Sequence, residues 1–195
     1  QQARQEWSQL PQMQATEVPV LVLGYGAMGR CTARRLVETG YPVTVWRRAA
    51  GPVEPSGAVV CEGDAALAEA LAGSLVVINL LPLTAATRDF FSARRFAAMR
   101  AGASLVNLAR GAHVVEQDLL AALDAGTLAH AVLDVFRSEP LPPAHPFWRH
   151  PRVTVLPHVA ALTDARSAAA VVAANVAALA AGRPIAHQVS RERGY

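Results

Sequence analysis

The sequence contains no lysine, because all 18 of its basic residues are arginine. This absence excludes a phosphate-binding loop that ends in lysine, a Schiff-base nucleophile and proton transfer by a lysine side chain. The net charge of +3 comes from arginines that are scattered along the chain, with no basic run and no interleaved aromatic residues. We therefore expect no nucleic-acid partner.

Cysteines and long apolar segments are also scarce. Cys31 and Cys61 are isolated, and we expect both to be reduced, mostly buried thiols in a cytoplasmic protein. No unbroken apolar run reaches about 18 residues and no signal peptide is visible, so no membrane span or membrane partner is expected. The histidines and cysteines form no cluster with metal-ligand spacing, so no metal site is predicted.

Apolar runs alternate with helical segments from residue 18 onwards, in a chain that is 52% hydrophobic. The predicted strands cover residues 18–23, 42–46, 75–80, 105–108, 130–135 and 152–156. The predicted helices cover residues 27–38, 64–72, 92–102, 116–125 and 164–181, with Asp64 and Ser92 as N-caps. This order predicts an α/β fold, a doubly wound, Rossmann-like parallel sheet with helices on both faces.

A glycine-rich loop, residues 24–29, follows the first predicted strand and opens the first helix. Gly24 permits the tight turn, Gly26 lets the backbone approach a pyrophosphate, and Gly29 lets helix and strand pack closely. The free N–H groups of the helix N-terminus favour an anion there. The loop therefore predicts a dinucleotide site, and the alternative is a tight strand–helix turn without a ligand.

The second predicted strand ends in Trp46, Arg47 and Arg48, with no carboxylate at that place. An NAD site usually has an acidic residue here to bind the ribose 2′-hydroxyl, whereas two guanidinium groups suit a 2′-phosphate. Trp46 is available to position the arginine stems. The pattern favours NADPH over NADH, and the alternative is that both arginines are ordinary surface residues.

Three charged or titratable residues follow the fourth, fifth and sixth predicted strands: Arg110, Glu139 and His158. The carboxyl ends of parallel strands converge on one crevice, so these side chains are expected to meet. A carboxylate beside an imidazole favours its protonated form, and an arginine suits a carboxylate or a carbonyl oxygen. The trio therefore predicts proton-transfer chemistry, and the alternative is a structural histidine with an Arg110–Glu139 ion pair.

The motifs at residues 24–29, 78–82, 107–111, 133–142, 148–153, 157–161 and 193–195 resemble the D-isomer-specific 2-hydroxyacid dehydrogenases. Within that family they are most similar to the glyoxylate/hydroxypyruvate reductase A group. The resemblance implies that Arg110 binds the substrate, that Glu139 is the partner of the histidine, and that His158 donates the proton. It also implies that Asp134 contacts the nicotinamide amide.

The resemblance further implies a set of residues in contact with the dinucleotide. The set is Gly24, Gly26, Ala27, Met28, Gly29, Trp46, Arg47, Arg48, Leu81, Pro82, Leu108, Ala109, Arg110, Asp134, His158 and Ala160.

Members of this family have two domains, and the first part of their substrate domain precedes the cofactor domain. By resemblance, residues 1–17 are a connecting helix and linker, residues 18–181 a dinucleotide-binding domain, and residues 182–195 a tail that belongs to the substrate domain. We expect the first part of the substrate domain to be missing from this chain. The resemblance also implies a homodimer formed through the cofactor domain.

The leading interpretation is an NADPH-dependent reductase of small 2-oxoacids, with NADH as the alternative cofactor. The loop at residues 24–29 also suits a β-hydroxyacid dehydrogenase or an imine reductase. The β-hydroxyacid enzymes that resemble this loop use a catalytic lysine, which this chain lacks. A non-enzymatic dinucleotide sensor is the third alternative.

Overall fold

The structure is a computed structural model that describes residues 5–9, 11–48 and 56–190. Within these ranges, seven short strands carry the apolar runs of the sequence. They are β1 (Val20–Leu23), β2 (Val43–Arg47), β3 (Val59–Glu62), β4 (Val76–Asn79), β5 (Ala103–Asn107), β6 (Leu128–Leu133) and β7 (Val153–Val155). Five α-helices alternate with them: α1 (Ala27–Glu38), α2 (Gly63–Gly73), α3 (Ala93–Ala98), α4 (Glu116–Asp124) and α5 (Ala165–Ala180). Single 3₁₀ turns cover Ala15–Glu17, Gly111–His113 and Pro146–Trp148.

All seven strands pair in parallel in one sheet, in the order β3-β2-β1-β4-β5-β6-β7. Successive residues of β1 point to opposite faces, so Leu21 joins one apolar cluster and Val22 the other. Helices α2, α3 and α4 cover the first face, and α1 covers the second. The predicted doubly wound sheet with helices on both faces is therefore confirmed.

The sequence-based prediction missed β3. This strand has four residues, lies at the edge of the sheet and contains no buried residue. Its apolar run is therefore too short to identify it as a strand. The prediction that Asp64 caps the next helix was wrong, because α2 begins one residue earlier with Glu62 at its N-cap. Asp64 lies instead in the first turn, where a carboxylate favours the helix dipole.

Other boundaries shift by a few residues. Helix α3 begins after its predicted cap, Ser92, but ends at Ala98 instead of near Gly102. The predicted helix within residues 1–17 is absent from the part of that segment that the structure describes, which contains only the 3₁₀ turn. Pro11 has no N–H to donate within a helix. In addition, no side chain in residues 5–9 and 11–17 is buried, so a helix there would have nothing to pack against.

Helix α5 begins as predicted, with the Asp164 side chain accepting a hydrogen bond from the Ser167 N–H at 2.9 Å. None of its residues is buried, so several apolar side chains remain exposed: Val171, Val172, Val176 and Leu179. Across the described residues, no helix is both long and apolar enough to cross a bilayer. Cys31 and Cys61 are free thiols, and the prediction that Cys31 is buried was wrong because it lies on the exposed side of α1.

Candidate active site

The glycine-rich loop lies where the strand order reverses, between β1 and β4. Gly24 has a φ of +107°, and a Cβ there would come within 2.8 Å of the Leu80 carbonyl oxygen. A Cβ on Gly29 would overlap the Gly24 carbonyl group, so the close packing of helix and strand requires glycine. Crevices at such reversal points are the usual ligand sites of open α/β sheets.

Gly26, unlike Gly24 and Gly29, has space for a side chain. It is the N-cap of α1, and a Cβ built on it would meet no atom of the described residues within 4 Å. Ala27 and Met28 are exposed like Gly26, so the N-terminus of α1 is accessible. The loop is therefore a backbone cradle at a positive helix end, which fits the pyrophosphate of a dinucleotide.

The end of β2 differs in detail from its prediction. Trp46 is buried and donates from Nε1 to the Gly63 carbonyl oxygen at 2.9 Å, so it is held by the protein and is not free beside the arginine stems. Arg47 donates to Glu62 Oε1 from Nε (2.8 Å) and from Nη2 (2.6 Å). Arg48 is exposed and lines a pocket. Glu62 was not recognised from the sequence because it lies on the missed strand β3.

Two buried asparagines shape the walls of the crevice. Asn79 ends β4 and Asn107 ends β5, and the Asn79 side chain donates to Asn107 Oδ1 at 2.9 Å. Each amide oxygen accepts a backbone N–H two residues further on, from Leu81 (3.2 Å) and from Ala109 (3.3 Å). These bonds fix the backbone of the predicted lining segments, Leu81 with Pro82 and Leu108 with Ala109.

His113 completes this network, and sequence reasoning missed it. Asn79 Nδ2 donates to His113 Nδ1 (3.0 Å), so Nε2 carries the hydrogen and faces the Pro82 carbonyl oxygen at 3.3 Å. Burial, the largest influence, lowers the pKa of His113 and favours this neutral form. The only sequence signal was an asparagine at the end of each of two apolar strands.

Glu139 and His158 form the central contact of the site. His158 Nδ1 lies 2.8 Å from Glu139 Oε2, and the Phe136 N–H donates to Glu139 Oε1 at 2.8 Å. An ionised carboxylate only accepts, so Nδ1 carries the hydrogen and Nε2 is the ring atom left for a substrate. More than half of the His158 side chain is exposed. This contact agrees with the prediction that Glu139 and His158 meet because each follows the carboxyl end of a strand.

Arg110 lies near this pair without binding to it. Its Nη1 donates to the Ala109 carbonyl oxygen at 2.6 Å, and among the described residues no ion pair joins Arg110 to Glu139. A Cβ on Gly111 would overlap the Phe136 carbonyl group, so this glycine lets the Arg110 segment approach the loop that carries Glu139. The alternative of a structural Arg110–Glu139 ion pair is therefore not observed.

Asp134 holds the segment that follows His158. Its buried carboxylate accepts from the Val159 N–H (2.7 Å) and from the Ala160 N–H (3.0 Å). His158 itself has a φ of +55°, a strained value for a residue with a side chain. Both Asp134 oxygens are thus used to fix the backbone beside His158, while contacts of Asp134 and Ala160 with a nicotinamide stay predictions.

Glu139 remains ionised across the neutral range. Its partial burial acts to raise its pKa, but the hydrogen bonds from Phe136 and His158, together with the charges of His158 and Arg110, outweigh burial, so the pKa of Glu139 is lowered. A negative charge therefore faces the imidazole at any pH above the ordinary range of a carboxyl group. Such a pair can hold a proton on the ring and release it to a bound oxygen.

The model of one family matches the sequence over most of its length. It is described as "D-isomer specific 2-hydroxyacid dehydrogenase, NAD binding domain", and it matches residues 1–160. The chain belongs to this dehydrogenase family. The part of the chain that contains the glycine-rich loop, Glu139 and His158 is therefore the family's NAD-binding domain.

Curated relatives agree with this placement in the dehydrogenase family. A protein of Serratia proteamaculans named glyoxylate/hydroxypyruvate reductase A is 45% identical over 194 residues. A protein of the same name from Yersinia enterocolitica is 42% identical over 195 residues. Both alignments cover 100% of this chain, which spans 61% and 62% of the lengths of these relatives.

Solved structures of the family have the same fold. A D-isomer specific 2-hydroxyacid dehydrogenase from Xanthobacter autotrophicus, in complex with NADPH and MES, matches with a TM-score of 0.94 at 40% identity, covering 100% of this chain and 79% of that chain. A glyoxylate/hydroxypyruvate reductase from Sinorhizobium meliloti, described as NADPH-dependent and in complex with NADP and sulfate, also gives 0.94, at 37% identity, covering 100% of this chain and 62% of that chain.

Proposed function

We propose that this chain is the cofactor-binding part of an NADPH-dependent reductase that converts small 2-oxoacids, of the glyoxylate or hydroxypyruvate type, to D-2-hydroxy acids. The observation that carries the proposal is the Glu139–His158 contact of 2.8 Å at the carboxyl ends of β6 and β7. It lies on the same edge of the sheet as the backbone cradle at Gly26. The names of the relatives support both the substrate class and the cofactor.

Each residue of the trio has one task in this reaction. The cradle at Gly26 would hold the pyrophosphate of the dinucleotide, whose reduced nicotinamide would supply the hydride for the carbonyl carbon. His158 donates a proton from Nε2 to the carbonyl oxygen, and Glu139 stabilises the ring while it is charged. Arg110 binds the carboxylate of the 2-oxoacid. The Asn79–Asn107–His113 network keeps the backbone of the cofactor crevice in place.

A substrate panel tests this function in the whole protein. Glyoxylate, hydroxypyruvate and pyruvate are supplied with NADPH or NADH, a β-hydroxyacid is supplied with NADP⁺ or NAD⁺, and turnover is followed by nicotinamide absorbance. We expect reduction of at least one 2-oxoacid and no oxidation of the β-hydroxyacid. Dinucleotide binding without turnover of any 2-oxoacid would instead indicate a sensor and contradict the proposal.

The Glu139→Gln variant is expected to move the alkaline limb of the pH profile of kcat/KM to lower pH. The amide still accepts from the Phe136 N–H, but it carries no charge to favour the protonated imidazole. Because the pKa of Glu139 is lowered, this charge is present in the parent throughout the neutral range. If the alkaline limb of the kcat/KM profile lay at the same pH in parent and variant, the Glu139–His158 contact would have no part in proton donation.

We also propose that the protein is a homodimer. The support is the set of apolar side chains that α5 and Trp148 leave exposed, which a second copy of the chain could cover. Light scattering at micromolar concentration is expected to give twice the mass of one polypeptide. A single-chain mass over the whole concentration range would refute the dimer.

A further inference from the structure

A second pocket lies on the β2–β3 side of the sheet, away from Glu139 and His158. It has a volume of about 460 Å³ and opens between the ends of β2 and β3, the loop after β4, and α3. Its lining includes two arginines, Arg48 and Arg95, and one carboxylate, Asp64. The described part of the pocket therefore has more positive than negative charge, which favours an anion.

Arg95 is fixed in place although no sequence motif singled it out. Its guanidinium carbon lies 4.2 Å from the centre of the Phe90 ring, a cation–π contact. Phe90 is itself buried and packs against Trp46, with ring centroids 6.1 Å apart, and against Phe91 at 5.2 Å. A guanidinium held in this way loses little conformational freedom when it binds a ligand.

The contact between Arg47 and Glu62 determines which arginines can bind an anion in the pocket. Glu62 ends β3, beside the end of β2, where a carboxylate would bind a ribose 2′-hydroxyl and repel a 2′-phosphate. Arg47 neutralises it through contacts of 2.8 Å and 2.6 Å, and only 11% of the Arg47 side chain is exposed. Arg47 therefore acts through Glu62, as a positioning residue, and the positive charges that line the described part of the pocket are those of Arg48 and Arg95, beside the carboxylate of Asp64.

We propose that Arg48 and Arg95 together bind the 2′-phosphate of the cofactor, so that Arg95, from α3, is a specificity-determining residue. The inference rests on the proposed use of a dinucleotide by this chain. In a doubly wound sheet the adenosine half of a dinucleotide lies over the ends of the strands that follow the glycine-rich loop, which is where this pocket opens. Two guanidinium groups on one phosphate also suit its geometry.

The test measures binding of two adenosine ligands to the full chain by titration calorimetry. Adenosine 2′,5′-bisphosphate carries the 2′-phosphate, and 5′-AMP is the same ligand without it. Arg95→Gln and Arg48→Gln are each expected to weaken the bisphosphate by roughly 10-fold or more, the effect of one charge-assisted contact, and to leave 5′-AMP within about twofold. Arg94→Gln is the matched control, because this arginine is the exposed neighbour of Arg95 and does not line the pocket.

Arg95→Lys keeps a positive charge and is expected to retain most of the preference, which separates charge from packing. Equal weakening of both ligands by Arg95→Gln would overturn the proposal in favour of a structural role on Phe90, and no weakening of either would overturn it as well. The result is independent of the reductase assay. If the protein fails to reduce 2-oxoacids but Arg95→Gln weakens bisphosphate binding, the proposed 2′-phosphate site is retained and the proposed reaction is rejected.

Discussion

Replacing His158 with alanine is expected to lower kcat for a 2-oxoacid by roughly 10²–10⁴-fold, the usual effect of losing a general acid. The ring contacts Glu139 Oε2 and can carry a proton to the substrate, and Asp134 fixes the backbone beside it through Val159 and Ala160. The affinity for the dinucleotide is expected to stay within about threefold, because this change removes no charge from the cradle or the arginine pocket. Stopped-flow turnover and calorimetry on the same preparation separate these two effects.

His130 provides the control for this experiment. It lies in the amino-terminal half of β6, before the carboxyl end that carries the site, and its Nε2 contacts Thr154 Oγ1 at 2.8 Å. His130→Ala is expected to leave kcat within about twofold, since the hydrogen bond of His130 to Thr154 lies outside the crevice. If His158→Ala retained the parent turnover, another proton donor would be required and the assignment of His158 would be rejected.

Gly29→Ala is expected to lower stability, whereas Gly26→Ala is expected to lower dinucleotide affinity. A methyl group at position 29 overlaps the Gly24 carbonyl group, so α1 must move away from β1. Such overpacking costs about 1–3 kcal/mol, and each kcal/mol lowers Tm by about 2–4 °C in a chain of this size. Thermal unfolding is therefore expected to begin several degrees earlier in this variant.

At position 26 a methyl group meets no atom of the residues that the structure describes, and the φ of −74° suits alanine. The free energy of unfolding is expected to change by less than about 1 kcal/mol. The methyl group occupies the cradle, so dinucleotide affinity is expected to fall by about tenfold or more, or about 1.4 kcal/mol. Unchanged affinity in Gly26→Ala would place the pyrophosphate elsewhere, and an unchanged Tm in Gly29→Ala would remove its packing role.

Most of the fold could be predicted from the sequence because six of the strands are apolar runs bounded by turn residues. Strand β3 escaped because an edge strand needs apolar side chains on only part of its surface. The same omission hid Glu62, and with it the partner of Arg47. The identity of the arginines that face the pocket therefore could not be obtained from local spacing.

The Glu139–His158 contact could be predicted because both residues follow strands whose ends must converge. The Asn79–Asn107–His113 network could not, because its members are 28 and 34 residues apart and no local pattern joins them. Arg95 is similar, since its place over Phe90 depends on where α3 docks against the loop after β4. Contacts that depend on docking of distant segments require the three-dimensional structure.

The Glu139–His158 pair joins the last two strands at one margin of the sheet. Strand β7 has three residues and, within the described parts of the chain, pairs with β6 alone, so we expect it to open by local unfolding before the central strands do. We expect fraying of β7 to separate His158 from Glu139 while the core of the domain stays intact. Hydrogen exchange of the Val159 and Ala160 amides, which donate to the Asp134 carboxylate, would report this local opening.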